Sequence, residues 1–204
     1  GASVLVPVDT TTGLPLLQIP LASDPIDVIA IGRLLYVTVG NRLLEIDAVT
    51  GLTLRTSTGV SLRAAAGVAY DPSTDTFWVV ARTPSKGLFQ IPRTSFIATE
   101  VLIVFLSPND FEWVEIIPGG DLYVVMNDGG PRLIRLATNG LKSEDRTFAG
   151  VGLGRVSIDA DGGLVWFSNP GDGSVHGMAP TTIATSAVTY SVGGAAPVVV
   201  SFRG

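Results

Sequence analysis

Four large aromatic residues recur at a nearly constant interval, and this interval constrains the fold more than any other feature of the chain. Tyr36, Trp78, Tyr123 and Trp166 are separated by 42, 45 and 43 residues. Each lies inside a short apolar run, as expected of a side chain in the middle of a β-strand. A period of about 40–50 residues is typical of β-propeller blades. The interval therefore predicts a repeat protein in which each unit places one aromatic at the same structural position.

Other segments repeat in step with the aromatics. An apolar run precedes each aromatic, and a third apolar run and a more polar fourth run follow it, with turn-forming residues between them. The pattern predicts an all-β protein with almost no helix. We expect one β-propeller domain over residues 1–204, with blades of mostly four antiparallel strands, called a to d. Four predicted blades cover residues 25–62, 63–107, 108–150 and 151–193.

The two ends of the chain supply a predicted fifth blade. Residues 5–13 repeat the pattern of residues 43–51, which predicts a strand c and then a strand d over 14–21. Residues 197–202 have the pattern of a strand a. Residues 194–204 and 1–24 would close the ring as one blade made from N- and C-terminal strands. No strand b is evident in this blade. Either the blade has three strands, or a partner supplies the missing strand at an open strand edge.

Blade 1 carries a resemblance to a known repeat. Residues 35–51 contain Tyr36-Val37-Thr38-Val39 followed by Asp47-Ala48-Val49-Thr50-Gly51. This stretch resembles the repeat of the YVTN- and NHL-like bacterial β-propellers, and residues 5–13 resemble it too. The resemblance implies a propeller fold, often extracytoplasmic, that serves as a binding scaffold. It implies no catalytic residues, because the repeat motif is architectural.

The composition excludes several functional classes. A net charge of -5 gives no general attraction to phosphate backbones, so we expect no nucleic-acid partner. The absence of cysteine excludes disulfides and zinc–thiolate sites. No apolar run approaches the ~18 residues of a membrane span. Many Gly, Thr, Ser and Val residues with little Lys predict a secreted or cell-surface protein of bacterial or archaeal type.

Catalytic and metal-binding patterns are weak. His176 is the sole histidine, and alignment of the c strands places it in a packing column with Leu44, Phe89 and Ile134. A structural role is therefore expected. Residues 159–162, Asp-Ala-Asp-Gly, resemble the start of a calcium loop but fall in the a–b turn and lack the later acidic ligand. We predict no catalytic residue, no metal site and no cofactor.

Loops at one end of the blades are expected to carry a ligand site. Ligands of propellers gather on the top face, which the d–a and b–c loops form. The candidate ligand-binding residues of this face are Asn109, Asp110, Glu112, Trp113, Asn127, Asp128, Arg132 and Arg155. Asn41 and Arg42 lie in the b–c loop of blade 1, and Arg63 lies in the d–a loop that leads into blade 2. Trp113 could stack on a sugar ring, although packing on strand a is the simpler interpretation.

These features favour a non-catalytic extracellular or cell-surface scaffold that binds a protein or a glycan through top-face loops or an open sheet edge. The alternative is a propeller enzyme of the lactonase, lyase or glycosidase type. A glycosidase would need two carboxylates from among Asp110, Glu112 and Asp128, and a lactonase-type metal cup would use Asp27 and Glu115. A third alternative is a homo-oligomer in which a second copy completes the fifth blade.

Overall fold

A computed structural model describes much of the chain: residues 3–8, 11–15, 18–82, 87–101, 111–117, 120–126, 132–147, 154–158, 165–169, 174–178 and 188–191. These residues form strands, turns and connections with no α-helix, as predicted. Within them, no helix has the length and apolar character needed to cross a membrane. The chain divides into two compact units, Gly1–Val101 and Leu102–Gly204.

The first unit contains a short N-terminal hairpin and two larger sheets. Its strands are β1 (Ser3–Leu5), β2 (Ile19–Leu21), β3 (Pro25–Ile31), β4 (Leu34–Val39), β5 (Arg42–Asp47), β6 (Thr53–Thr56), β7 (Thr58–Gly59), β8 (Ala65–Asp71), β9 (Thr76–Ala81), β10 (Gly87–Pro92) and β11 (Ile97–Val101). Strands β3 to β6 form blade 1 in sequential antiparallel order, and β8 to β11 form blade 2 in the same way.

The second unit contains two sheets of the same design. Its strands are β12 (Phe111–Ile116), β13 (Leu122–Met126), β14 (Arg132–Leu136), β15 (Lys142–Thr147), β16 (Val156–Ile158), β17 (Val165–Asn169), β18 (Ser174–Met178) and β19 (Val188–Ser191). Strands β12 to β15 are blade 3 and β16 to β19 are blade 4. The described residues thus confirm an all-β fold made of four propeller-type blades.

Strand β4 is buried on both faces because it lies between two neighbouring sheets, and its successive side chains point alternately to one sheet and to the other. Tyr36 faces blade 2, where its ring centroid lies 4.3 Å from that of Phe77 and 6.3 Å from that of Phe96. Val37 packs instead with Ile19 of the N-terminal hairpin. A strand that lies between two sheets needs apolar side chains at successive positions. This explains why the recurring aromatic lies inside a continuous apolar run.

The second unit repeats this packing. Tyr123 of β13 is fully buried in a cluster with Val156, Val165 and Phe167 of blade 4. The recurring aromatic therefore packs between adjacent sheets at both Tyr36 and Tyr123.

The connection after blade 1 departs from the prediction. The sequence predicts one strand d over residues 52–58, but the chain forms β6 and then β7. Strand β7 pairs in parallel with β11, Thr58 opposite Ile97 and Gly59 opposite Ala98. Blade 2 therefore has five strands rather than four, and β7 covers part of its outer edge, as edge protection requires.

A two-stranded hairpin forms at the N-terminus, where the sequence predicts strands c and d. Strands β1 and β2 pair antiparallel, and Leu5 and Leu21 pack on the apolar cluster of blade 1. The predicted strand d over 14–21 is shorter in the structure, where β2 begins at Ile19 and an isolated bridge joins Val8 to Pro15. The predicted strand over 197–202 lies outside the described residues.

The Asp47–Gly51 sequence of the repeat motif forms the turn between β5 and β6. The Asp47 carboxylate accepts hydrogen bonds from the N–H groups of Val49 at 2.9 Å and Thr50 at 3.0 Å and pairs with Arg33. Gly51 has a φ of +73°, a conformation that glycine adopts readily. The motif is thus explained by turn geometry alone.

Candidate functional site

The eight predicted ligand-binding residues are described only in part. Asn109, Asp110, Asn127 and Asp128 lie outside the described residues. The other four belong to the second unit: half-buried Glu112 and Trp113 in β12, half-buried Arg132 at the start of β14, and exposed Arg155 just before β16.

Trp113 and Arg155 are brought together by the fold. The guanidinium carbon of Arg155 lies 5.5 Å from the centroid of a Trp113 ring, within the ~6 Å range of a cation–π contact. Trp113 also packs on the cluster around Tyr123, which supports its structural role. Ligand binding by this pair stays a prediction.

His176 lies at the predicted register. It is opposite Phe167 in the pairing of β17 and β18, and the two rings stack with centroids 5.0 Å apart. Its Nε2 is 2.7 Å from Oγ of Ser174. The half-buried ring is therefore held by neighbours in its own sheet.

Asp27 and Glu115, the two strand a acids considered for a metal site, have different neighbours. Asp27 is buried, and its carboxylate accepts hydrogen bonds from the N–H groups of Val28 at 2.9 Å and of Val68, in the next blade, at 3.0 Å. Glu115 is half-buried opposite Tyr123. Across the part of the chain that the structure describes, no three acidic or histidine side chains come close enough to hold a metal ion. The Asp159–Gly162 turn lies outside that part.

One pocket lies at the end of the first unit that carries b–c and d–a connections. It has a volume of about 280 Å³. We call it the upper pocket. Its lining residues are Asn41, Arg42, Ser57, Thr58, Gly59, Val60 and Ser61. Asn41 and Arg42 are among the loop residues that the sequence places on this face.

Backbone hydrogen bonds hold the walls of the upper pocket. The N–H of Leu62 donates to the carbonyl of Asn41 at 3.1 Å, and that of Ala65 donates to the carbonyl of Gly40 at 2.8 Å. The N–H of Val60 donates to the carbonyl of Ala98 in blade 2 at 3.1 Å. The pocket is therefore a fixed feature of the junction between blades 1 and 2.

Backbone strain lies directly beside the upper pocket. Arg63 and Ala64 have φ values of +49° and +66°, and the left-handed conformation costs an L-residue about 1–2 kcal/mol. Such strain persists only where the surroundings enforce it, and it is concentrated at functional sites. Here the N–H of Arg82 donates to the carbonyl of Ala64 at 3.1 Å and holds the turn.

A second pocket lies at the opposite end of the same junction, beside the a–b and c–d turns. It has a volume of about 250 Å³. We call it the junction pocket. Blade 1 contributes Leu34, Tyr36, Glu45 and Arg55, and blade 2 contributes Asp75, Arg93 and Thr94.

A network of ion pairs surrounds the junction pocket. Arg55 donates from two nitrogens to the carboxylate of Glu45, one of these bonds being 3.0 Å. A third nitrogen of Arg55 donates to the carbonyl of Arg93 at 2.9 Å. In blade 2, Nε of Arg93 and the hydroxyl of Tyr70 donate to Oδ1 of Asp75 at 2.6 and 2.7 Å. The network therefore joins the two blades as well as lining the pocket.

The buried Tyr36 hydroxyl lies beside this network. Tyr36 is 0% exposed, and its Oη lies close to the side chains of Glu45 and Arg93, although no bond to either has full hydrogen-bond geometry. Burial raises the pKa of the Tyr36 hydroxyl, on which the nearby Glu45 and Arg93 also act.

Ionisation in the junction pocket is set by the arginines and tyrosines. The hydrogen bonds from Arg55 hold the pKa of Glu45 below its ordinary value. Hydrogen bonds from Tyr70, and then from Arg93, lower the pKa of Asp75. Both carboxylates are therefore charged at neutral pH, balanced by two guanidinium groups.

The lowered pKa of Glu45 predicts an acid-dependent loss of stability. The carboxylate contributes fully above the ordinary glutamate pKa of about 4.3 and loses its contribution as the pH falls through the lower folded-state pKa. Urea unfolding of wild type and Glu45→Gln should therefore differ at pH 7 and converge towards pH 2.5. Glu100→Gln is the control, because the Arg63–Glu100 pair is 3.4 Å long and about 40% exposed. Glu100→Gln should change the free energy of unfolding by no more than ~1 kcal/mol at every pH. A pH-independent effect of Glu45→Gln would contradict the assignment.

The junction pocket was not predicted from the sequence. The sequence feature that could have indicated this pocket is the residue on strand c that pairs with the recurring aromatic. This residue is the charged Glu45 opposite Tyr36 in blade 1, but the uncharged Gln90 opposite Trp78 in blade 2. A charged side chain that is buried at this position requires a partner of opposite charge nearby. The sequence does not show that the partner is Arg55.

No protein-family model and no curated protein sequence matches the chain. Its fold is similar to that of two solved structures at 14% sequence identity each. One is hydrazine synthase from Kuenenia stuttgartiensis, with a TM-score of 0.74 over 93% of this chain. The other is a nidogen/laminin complex, with a TM-score of 0.73 over 94% of this chain and 79% of that one. The chain spans 60% of the length of the hydrazine synthase chain.

The repeated four-stranded sheets and these structural likenesses define the chain as a protein of the β-propeller class. Likeness at this identity concerns the fold only. The resemblance to the YVTN- and NHL-like repeat stays a prediction.

Proposed function

We propose that the protein is a non-catalytic scaffold, extracellular or on the cell surface, that binds a protein or glycan partner through its b–c and d–a connections. The upper pocket is the observation that carries this proposal. It lies where loops on a rigid scaffold usually carry function, and its walls are preformed, which lowers the entropy cost of binding.

The lining of the upper pocket suits a polar, uncharged partner surface. Ser57, Thr58 and Ser61 offer hydroxyls, Asn41 an amide and Arg42 a guanidinium. The Asn41 amide nitrogen is 3.3 Å from Oγ of Ser61, so these groups already lie within reach of one ligand. Hydroxyls and amides can both donate and accept, and both sugar hydroxyls and peptide groups require that.

The carboxylates of the junction pocket support a non-catalytic interpretation. A glycosidase acid needs a raised pKa so that it is protonated at working pH, whereas the pKa values of Glu45 and Asp75 are lowered. The enzyme alternative rests on Asp110, Glu112 and Asp128. It predicts lactone or glycoside turnover that Glu112→Gln abolishes.

We also propose that the N-terminal hairpin is the outer half of a fifth blade, completed by residues 197–202. The hairpin packs one face on blade 1 through Ile19. Val4, Val6 and Val8 are more than one-third exposed, an apolar row that suits a neighbouring sheet. A second copy of the chain could cover this row instead. Size-exclusion chromatography with light scattering separates the cases, since only self-association gives a mass above 21.2 kDa.

Photo-crosslinking tests which surface binds. A photoreactive amino acid at Ser61 probes the upper pocket, and one at Thr53 probes the outer strand of blade 1; both side chains are exposed. The proteins are exposed to the secreted and surface fractions of the source cells, and in parallel the wild type is applied to a glycan array. We expect adducts from Ser61, or array signals, that Arg42→Ala weakens about tenfold, equivalent to ~1.4 kcal/mol.

Lys142→Ala is the matched control, because it also removes one exposed positive charge and lies in the second unit. It should leave binding unchanged. Adducts from Thr53 alone would move the contact to the sheet edge, and no adduct or array signal at all would contradict the scaffold proposal.

A further inference from the structure

Within the described residues, the upper pocket carries one charge that has no ion-pair partner. Arg42 is the single charged residue among those that line the pocket, and its side chain is exposed. The described ion pairs of the first unit use other arginines, which are Arg33, Arg55, Arg63 and Arg93. A guanidinium group is a planar fork of donors that matches a carboxylate in both charge and shape. The pocket therefore favours a partner that brings one carboxylate.

Hydroxyl groups in the same lining have protons to donate. Ser57 is 7% exposed, and its Oγ accepts a hydrogen bond from the N–H of Leu43 at 2.9 Å. The N–H of Ser57 donates in turn to the carbonyl of Leu43 at 2.8 Å, so the residue is held in place. Oγ of Ser61 lies 3.3 Å from the amide nitrogen of Asn41 and accepts from it. Because both hydroxyl oxygens act as acceptors towards the protein, each hydroxyl still has its own proton for an acceptor on a ligand.

A sugar ring that bears a carboxylate matches this arrangement. Neutral hydroxyl and amide groups outnumber the one charge in the lining, just as hydroxyls outnumber the carboxylate on an acidic sugar. Val60 is the apolar side chain of the lining and is 39% exposed, so it offers a surface to the C–H face of a ring. The volume of about 280 Å³ is just below the 300–1,000 Å³ of drug-sized ligand sites, which suits about one ring.

We propose that the partner presents a hexuronic acid to the upper pocket, with the carboxylate bound by Arg42 and ring hydroxyls bound by Ser57 and Ser61. The carboxylate is then the single charge on an otherwise polar, uncharged partner surface, and Arg42 balances it. An acidic glycan is one of the partners of the proposed scaffold function, on which this specificity rests. An acidic peptide would supply the carboxylate without the ring of hydroxyls.

Titration calorimetry with sugars that differ in one group tests this specificity. The probes are the methyl glycosides of glucuronic and galacturonic acid, the methyl esters of both, and the methyl glycosides of glucose and galactose. The esters and the neutral sugars keep the ring and remove the charge. We expect a uronate to bind saturably with a Kd of about 1 mM or tighter. Its ester and its neutral counterpart should bind about tenfold more weakly, because a hydrogen-bonded charge is lost.

Arg42→Gln should remove the preference for the uronate over its ester, because the variant keeps a polar side chain and loses the charge. Lys142→Gln is the matched control, since it also removes one exposed positive charge and lies in the second unit. It should leave the preference unchanged. Acetate and an aspartate blocked at both ends serve as carboxylates without a sugar ring, and we expect neither to bind as tightly as the uronate.

Four results would overturn the acidic-glycan proposal. They are no saturable binding of either uronate, equal binding of uronates and neutral sugars, an unchanged preference in Arg42→Gln, and binding of acetate or blocked aspartate as tight as that of the uronates. Adducts from the photoreactive residue at position 61 without any uronate binding would overturn this specificity and leave the scaffold proposal standing. The absence of adducts, array signals and uronate binding together would contradict both proposals.

Discussion

Replacing Tyr36 with Ala is expected to lower the free energy of unfolding by about 3–5 kcal/mol, the range for removing a large buried aromatic. The Tyr36 ring is 0% exposed and packs against Phe77 and Phe96 of the next blade. The variant therefore leaves a cavity at the junction between two sheets. Urea unfolding followed by fluorescence measures the effect.

Tyr36→Phe is the matched control because it keeps the ring and removes only the hydroxyl, which lies near Glu45 and Arg93 without a bond of full geometry. We expect stability to change by no more than ~1 kcal/mol in either direction, since no hydrogen bond of full geometry is lost. Tyr70→Phe removes a hydroxyl that donates to Asp75 at 2.7 Å and should cost about 1 kcal/mol. A loss in Tyr36→Phe as large as in Tyr36→Ala would contradict the packing explanation.

Gly59→Ala is expected to destabilise the protein by about 3 kcal/mol. The φ of Gly59 is +86°, and an added Cβ would lie 2.6 Å from the backbone oxygen of Ala98 and 2.9 Å from Cγ2 of Ile97. The left-handed conformation and the clash with fixed backbone add together. Because relief requires β7 to leave β11, the variant should also weaken binding at the upper pocket. Thermal unfolding and the glycan array measure the two effects.

Gly51→Ala separates the two causes. Gly51 also has a positive φ, +73°, but its added Cβ would meet only the side chain of Ile19, at 3.4 Å. We expect a loss of about 1–2 kcal/mol from the backbone conformation alone. If Gly59→Ala were no worse than Gly51→Ala, the close approach of β7 to β11 would be wrong.

The strand pattern was predictable because the same physical demand recurs in each blade. A strand b between two sheets must be apolar at successive positions, so Tyr36 and Trp78 identify their strands without knowledge of the contacts. The turn at Asp47 was predictable for a local reason, since its side chain bonds to the backbone two and three residues ahead.

The additional strand β7 was not predictable from the sequence. Thr58 continues the pattern of strand d, and only the position of Phe96 shows why Thr58 and Gly59 pair with blade 2 instead. The N–H of Thr58 donates to the carbonyl of Phe96 at 3.1 Å, and Phe96 has a φ of +57°. Such a long-range contact leaves no periodic trace in the sequence.

The two pockets also differ in how far the sequence could predict them. The upper pocket lies in loops that the repeat alignment places at one end of the blade, so Asn41 and Arg42 could be named in advance. The junction pocket depends on Arg55 reaching from blade 1 to the backbone of Arg93, 38 residues away. Charges that are distant in sequence become a site only through the packing of two sheets.

The central claim is that the junction between blades 1 and 2 is rigid and holds preformed pockets at both ends. Native-state amide hydrogen exchange tests it most directly. We predict that the amides of Val60, Leu62 and Ala65, beside the upper pocket, exchange as slowly as those in the buried strands β4 and β9. Exchange of these three amides about 100-fold faster than that of β4 would contradict the claim, because the pocket walls would then open without unfolding of the blades.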